Sequence, residues 1–198
     1  DSAGTELDTV QVNTVTPGSQ TSPHLIADPT GTELLVLWED DAPATSLGTV
    51  ALRRFDTTGA PVDADQITVP TGTYFFASEP TAAYAADGSF LVAWTQSPTG
   101  AQTDVLVRLY SPTATPLSAP TSVTSPATDG HEYSPTVAHE PTTGGFIVAW
   151  EEITGTGSTQ ISAVLVDAMG TPALGTSTPV AFPVTGAPDE EEYFTPQI

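Results

Sequence analysis

The sequence predicts an all-β protein made of repeated small antiparallel sheets, and three observations support this fold class. Trp38, Trp94 and Trp150 are spaced 56 residues apart in both intervals, and each ends a short apolar run. Further short runs rich in Val, Leu, Ile, Phe and Thr are separated by Gly, Pro, Asp and Ser, which is typical of strands and turns. No stretch has a 3.6-residue period long enough for a helix, so we expect the protein to be nearly helix-free.

Each repeat carries the same four segments in the same order. A proline with a small apolar run behind it comes first, and the run that ends in tryptophan (ELLVLW, SFLVAW or GFIVAW) comes second. The third segment leads, in two of the copies, into a D-x-x-G-x-P turn, in which Gly supplies positive φ and Pro fixes φ near −65°. A short fourth run closes the unit. These segments predict four sequential antiparallel strands per repeat, with core positions at Trp38, Trp94, Trp150, Pro23, Pro80 and Pro135.

A four-stranded sheet of this size cannot bury both of its faces alone, so copies have to stack on one another. Such sheets repeating every 40 to 60 residues or so are the signature of β-propeller blades, with the tryptophan wedged between neighbours. Three blades are too few to close a ring. We therefore expect the ring to be incomplete in this chain, and further repeats of a longer chain or other copies of this one to complete it. A stack of β-sandwich-like modules is the alternative architecture.

The repeats divide the chain into five parts. The predicted divisions are an N-terminal strand completing a neighbouring blade (1–15), repeat 1 (16–71), repeat 2 (72–126), repeat 3 (127–184) and the start of a fourth repeat (185–198).

Composition excludes several classes of partner. The chain has 24 acidic residues against three Lys and Arg, and a formal charge of −21, so no basic surface is available for nucleic acid or anionic lipid. It has no cysteine, and no apolar run approaches the roughly 20 residues that a membrane helix needs. The chain begins at Asp1, which fits a removed signal peptide or an excised piece. We expect a secreted or cell-surface protein without membrane insertion.

Acidic residues cluster after two of the three tryptophans. Calcium prefers six to eight hard oxygen ligands, and clustered carboxylates in loops supply them. The middle repeat has Thr95 and Gln96 at this place, so a solvated acidic rim is the alternative to a repeated ion site. No cofactor is required by any motif, and calcium is the one ion that the sequence suggests. The candidate calcium ligands are Glu39, Asp40, Asp41, Glu151 and Glu152.

Aromatic residues with acidic neighbours precede the proline of several repeats. In a propeller, the loop entering the first strand lies on the binding face, and an aromatic ring beside carboxylates is suited to gripping a sugar. The alternative is that these rings pack between blades beside the tryptophans. The candidate ligand-binding residues are Tyr74, Phe76, Tyr133, Tyr193 and Glu132.

The motifs of the repeat resemble those of large secreted bacterial surface proteins. In those repeats a P-x-V-A segment is followed by D-G-G-F-V-V-x-W and then by R-F-D-x-x-G-x-P, as SPTVAH, GGFIVAW and RRFDTTGAPV are here. The resemblance implies secretion, a propeller-like fold, and adhesion or scaffolding, and it transfers no catalytic residue. The middle repeat departs from the pattern, since LYSPTATPL replaces the Arg-Phe-Asp turn.

Three functions from different classes follow. The first is an extracellular adhesion or carbohydrate-binding module. The second is a structural subunit of a surface filament, joined to other copies by strand exchange at its termini. The third is a glycosidase-like propeller enzyme, for which Asp87, Asp104 and Glu132 are generic carboxylate candidates. Because no catalytic motif is visible, we expect the chain not to be an enzyme.

Overall fold

The computed structural model describes residues 9–41, 48–69, 76–97, 102–123, 130–153 and 157–173 of the 198-residue chain. Within these ranges the regular structure is all strand, as predicted. No helix in the described part is long and apolar enough to cross a membrane. The strands are β1 (Gln20–Ala27), β2 (Glu33–Asp40), β3 (Thr49–Asp56), β4 (Ile67–Thr68), β5 (Phe76–Tyr84), β6 (Phe90–Ser97), β7 (Asp104–Tyr110), β8 (Thr121–Ser122), β9 (His131–Glu140), β10 (Gly145–Ile153) and β11 (Thr159–Val166).

The strands form three separate antiparallel sheets, one per repeat. Their orders are β1-β2-β3-β4, β5-β6-β7-β8 and β11-β10-β9, and we call them blades 1, 2 and 3. The register repeats with the sequence, because each tryptophan pairs with the same position of the following strand: Ala51, Leu106 or Ser162. The prediction of four strands per repeat is confirmed for blades 1 and 2. The run expected to close blade 3 and the start of a fourth repeat lie outside the described residues.

Consecutive blades stack face to face, with the first strand of each blade against the blade before it. Strand β5 contacts β1, β2 and β3, and β9 contacts β5, β6 and β7. The first strands β1, β5 and β9 are therefore neighbours along one side of the stack, and the short strands β4 and β8 lie at the opposite edge of their sheets. This places the first strands where the strands nearest the axis of a propeller lie.

Two of the three tryptophans, Trp94 and Trp150, bury their rings between blades, as predicted. Trp94 is fully buried in one apolar cluster with Leu35, Leu37 and other residues of blade 1. Trp150 belongs to a second cluster, shared by blades 2 and 3, with residues such as Leu91. Burial of this kind is worth roughly 1.5 to 3 kcal/mol per large apolar side chain, and it is what keeps small sheets together.

The predicted core prolines divide between the two environments. Pro80 and Pro135 are buried where their first strands pack against the preceding blade. Pro23 is exposed, so its assignment to the core was wrong. The reason is that Pro23 lies on the face of blade 1 against which no other blade packs in the described residues.

Candidate functional site

The three first strands share an irregularity just before their prolines. The residue before each proline has a left-handed backbone, with φ of 52° at Ser22, 54° at Glu79 and 51° at Ser134. Each coincides with a shift in the register with the second strand, that is, with a β-bulge. Left-handed φ in residues other than glycine costs on the order of 1 to 3 kcal/mol and concentrates at functional sites. The bulges line up on neighbouring strands and mark one end of the first strands as the candidate site.

Two carboxylates link the blades at these bulges. Oε1 of Glu39 accepts a hydrogen bond from the backbone N–H of Glu79 in the next blade, at 2.8 Å. Oε2 of Glu79 accepts in turn from the backbone N–H of Ser134 in blade 3, at 2.9 Å, and from the Thr95 hydroxyl at 2.7 Å. The Thr21 hydroxyl donates to Glu39 at 3.2 Å. Both carboxylates are half-buried, so water and a ligand reach them from the bulged end.

An aromatic pair lies on β9, one residue along the chain from the Ser134 N–H that binds Glu79. The rings of His131 and Tyr133 stack at 5.8 Å between centroids with an interplanar angle of 14°, and both side chains are half-buried. Tyr133 directly precedes Ser134, whose N–H binds Glu79. The bulged ends of neighbouring first strands therefore carry an aromatic pair and two carboxylates, which are the kinds of group that contact the C–H surface and the hydroxyls of a sugar.

The other predicted ligand-binding residues are placed as follows. Glu132 is only 1% exposed and lies between blades 2 and 3, where its N–H donates to the Thr103 carbonyl at 3.1 Å. Ala77 occupies the same position of the previous repeat and makes the same bond to Gly48. Phe76 begins β5 and is half-buried. Tyr74 and Tyr193 lie outside the described residues.

The predicted calcium ligands contact protein groups rather than one another. Asp40 accepts from the side-chain amides of Gln20 and Gln66, and is 2% exposed. Glu152 accepts from Gln160 at 3.0 Å and from Ser162 at 2.6 Å. In the described ranges no three His, Cys, Asp or Glu side chains converge on a point that could hold a metal ion. Asp41 and Glu151 are exposed. Calcium binding stays a prediction.

Most of the remaining acids cap turns at the other ends of the strands. The Asp87 carboxylate accepts from the Ser89 hydroxyl and N–H, which lowers its pKa. Hydrogen bonds from Thr30 and the N–H of Glu33 lower the pKa of Asp28 to about 2, and bonds from Thr143 and Thr142 do the same for Glu140. Desolvation raises the pKa of Asp104, a half-buried strand residue. Of the generic catalytic candidates, Asp87 therefore has a structural role in a turn.

Sequence reasoning missed the bulges and the role of Glu79. Each repeat has a residue other than glycine directly before its proline, in SPH, EPT and SPT. A residue before proline favours extended backbone, so the left-handed conformation could not be read from that pair. It accompanies the β-bulge in all three first strands, including β1, against which no preceding blade packs in the described residues.

Comparison with known proteins identifies the fold. No family model and no curated protein matches the chain. Among solved structures it matches an α-L-arabinofuranosidase from Lactobacillus brevis, at 11% identity over 84% of this chain and 58% of that one, with a TM-score of 0.57. A thermostable family-43 glycoside hydrolase matches at 11% identity over 83% of this chain and 61% of that one (TM-score 0.53). The fold is that of a β-propeller.

A third propeller match has the highest sequence identity of the three. It is the Bacteroides ovatus protein described as xyloglucan PUL GH43B. The match has 17% identity over 81% of this chain and 33% of that one, with a TM-score of 0.53. This chain spans about three fifths of the length of the first two propellers. At these identities the matches show the fold.

The expectation that the chain is not an enzyme is contradicted by these matches, because they are glycoside hydrolases. The expectation rested on the lack of a catalytic motif. Two carboxylates that act together in glycoside hydrolysis need no fixed spacing in the sequence, so a pair of them leaves no local motif.

Proposed function

We propose that this chain is part of a β-propeller that binds polysaccharide and hydrolyses its glycosidic bonds at the bulged ends of β1, β5 and β9. The observation that carries the proposal is Glu79, a strained bulge residue whose carboxylate lies between Thr95 and Ser134 and whose backbone binds Glu39. Glycoside hydrolysis uses a pair of carboxylates, one as acid and one as base or nucleophile. Glu39 and Glu79 are the pair that we assign to this reaction.

The aromatic pair supplies the binding part of the proposal. Tyr133 and His131 offer a stacked, half-exposed ring surface on β9, beside Ser134, whose N–H binds Glu79. A sugar lying on this surface would present its hydroxyls to the two carboxylates. The matched enzymes are named for arabinofuranoside, xyloglucan and family-43 hydrolysis, so we propose a plant cell-wall polysaccharide as the substrate class. Such substrates are extracellular, and we therefore propose that the protein is exported.

The proposal is tested by measuring release of reducing sugar from arabinan, xylan and xyloglucan. We expect release from at least one of them, and we expect Glu79→Gln to lower the rate by at least about 100-fold, the usual minimum for loss of a catalytic acid or base. Gln keeps the size of the side chain and can still accept from Thr95.

The matched control is Glu140→Gln. Glu140 is also on a first strand, but at the opposite end, where it caps the β9–β10 turn. Activity should be unchanged in this variant. Binding of the polysaccharides without any release, or full activity in Glu79→Gln, would rule out the assignment.

A further inference from the structure

The two outer faces of the stack correspond to the two faces that pack together inside it. Each internal interface joins a face that carries a tryptophan to a face built from the second and third strands of the preceding blade. Among the described residues, the first kind remains open on blade 1, and we call it the tryptophan face (Pro23, Leu25, Val36 and Trp38). In the same part of the chain the second kind remains open on blade 3, and we call it the receiving face (Ile147, Ala149, Ile161, Ala163 and Leu165).

The receiving face exposes residues whose repeat counterparts are buried. Ile161 is 66% exposed, whereas its counterparts in blades 1 and 2, Val50 and Val105, are 0% exposed. Leu165 is 54% exposed, and its counterpart Leu109 is 4% exposed. Large apolar side chains at these positions are typical of a buried interface between blades. On blade 3 the same kind of side chain is exposed to solvent.

The tryptophan face shows the same contrast. Leu25 is 59% exposed, whereas its counterparts Ala82 and Val137 are 4% and 6% exposed. Beside it a groove of about 160 Å³ is lined by Val36 and Trp38, among other residues. Both open faces therefore keep the apolar residues of a blade interface.

The N-terminal segment adds an independent observation. Inside the stack, Nη1 of Arg108 donates to the carbonyl of Val69, which follows the last strand of the preceding blade, at 3.1 Å. Arg53 is the counterpart of Arg108 in blade 1, and its Nη1 donates to the carbonyl of Val12 at 2.9 Å. Val12 therefore occupies the place that the last segment of a preceding blade would occupy. Blade 1 therefore already makes one of the contacts that it would make with a preceding blade.

We propose that the tryptophan face of one copy of this chain docks on the receiving face of a second copy, in a head-to-tail contact. The second copy is the occupant because it presents the matching face, and because the contact continues the interface that the chain already forms twice. Contacts of this kind close into a ring or extend into a filament, according to the rotation between copies.

The proposal is tested by light scattering of the purified chain over a range of concentrations. We expect a mass at least twice the 20.4 kDa of one chain, approached at raised salt because the charge of −21 on each copy opposes association. Ile161→Arg and Leu25→Arg should each lower the mass to, or towards, that of one chain. Both side chains are mostly exposed, so neither change disturbs the folded chain. The matched control is Leu117→Arg, since Leu117 is 57% exposed and lies on neither face.

Mixing the two variants tests the head-to-tail geometry. Leu25→Arg keeps an intact receiving face and Ile161→Arg keeps an intact tryptophan face, so an equal mixture should form a complex of two chains. A contact between two identical faces would give no such recovery. A single chain at every concentration and salt, a mass unchanged by Ile161→Arg, or no complex in the mixture would overturn the proposal. These readouts measure mass, so they are independent of whether the protein hydrolyses sugar.

Discussion

The interface between blades 1 and 2 and the interface between blades 2 and 3 share one backbone plan but differ in chemistry. In the first, Arg54 pairs with Asp63 at 2.7 Å and donates to the carbonyl of Pro112 in blade 2 at 2.6 Å. In the second, the position of Arg54 is taken by Leu109, which is buried in the apolar cluster between blades 2 and 3. The register is the same in both, and so are the hydrogen bonds that the backbone of each first strand donates to the preceding blade.

The difference shows how this chain uses its few cations. Arg53, Arg54 and Arg108 are the three Lys and Arg residues of the sequence, and each donates to backbone carbonyls at or near a blade boundary. Arg53 and Arg54 are 7% and 6% exposed. The positive charges therefore stabilise the stack, and the outer surface is left strongly acidic. At the second interface the apolar side chain of Leu109 stabilises the contact, and no charge has to be desolvated there.

The largest effect on stability is expected when Arg54 is removed from its ion pair with Asp63. Arg54→Leu places the residue of repeat 2 into repeat 1 but leaves Asp63 half-paired in a buried site. We expect a loss of about 3 kcal/mol in the free energy of unfolding, as for other broken buried ion pairs. Urea denaturation followed by tryptophan fluorescence measures it.

The control installs the whole pair of the second repeat. Ser118 is the counterpart of Asp63, because its hydroxyl accepts from the N–H of Leu109 at 3.0 Å as Asp63 does from Arg54 at 2.9 Å. The double variant Arg54→Leu/Asp63→Ser should regain at least half of the lost stability. A double variant no more stable than Arg54→Leu would show that the two interfaces do not follow one plan.

A smaller effect concerns the pH dependence of stability, in which the turns of blades 1 and 2 differ. The turn after β3 is capped by Asp56, which accepts from Thr58 and from the N–H of Ala60, and these bonds lower its pKa. The turn after β7 is capped by Ser111, which does not titrate. A carboxyl with a lower pKa when folded stabilises the protein above its unfolded pKa, and this contribution is lost as the pH falls. We expect the melting temperature to fall from pH 5 towards pH 2.

The turn acids of all three blades contribute to this fall, since the pKa values of Asp28 and Glu140 are lowered to about 2 and the pKa of Asp87 in blade 2 is lowered by its bonds to Ser89. Asp56→Ser copies the cap of repeat 2 and should make the fall shallower by a few degrees without changing its direction. Thermal unfolding at several pH values, followed by circular dichroism, measures both. An acid profile identical to that of the unchanged chain would contradict the assigned role of Asp56.

Much of the fold could be predicted from the sequence, because a blade is defined by local patterns. The spacing of Trp38, Trp94 and Trp150 indicated the repeats, and the strand runs between turn residues indicated four strands in each. Burial of Trp94 and Trp150 between blades followed from the same pattern. Pro23 was misplaced because its sequence is that of a core position, whereas its exposure depends on which neighbour the first blade has.

The candidate site was less predictable, since its parts come from different blades. Tyr133 was found from its aromatic and acidic context, but Glu39 was assigned to calcium and Glu79 was not singled out. Their proximity depends on left-handed bulges and on hydrogen bonds between blades, and neither leaves a pattern in one segment. The resemblance to secreted surface-protein repeats stays a prediction.

The most direct test of the central claim, that sugar binds at the bulged ends of the first strands, is calorimetric titration with arabino- and xylo-oligosaccharides. We predict binding to the unchanged chain and to Glu140→Gln, and binding weakened about tenfold in Tyr133→Ala, because the proposed stacking surface on β9 is removed. Absence of binding to the unchanged chain, or equal affinity in Tyr133→Ala, would contradict the account.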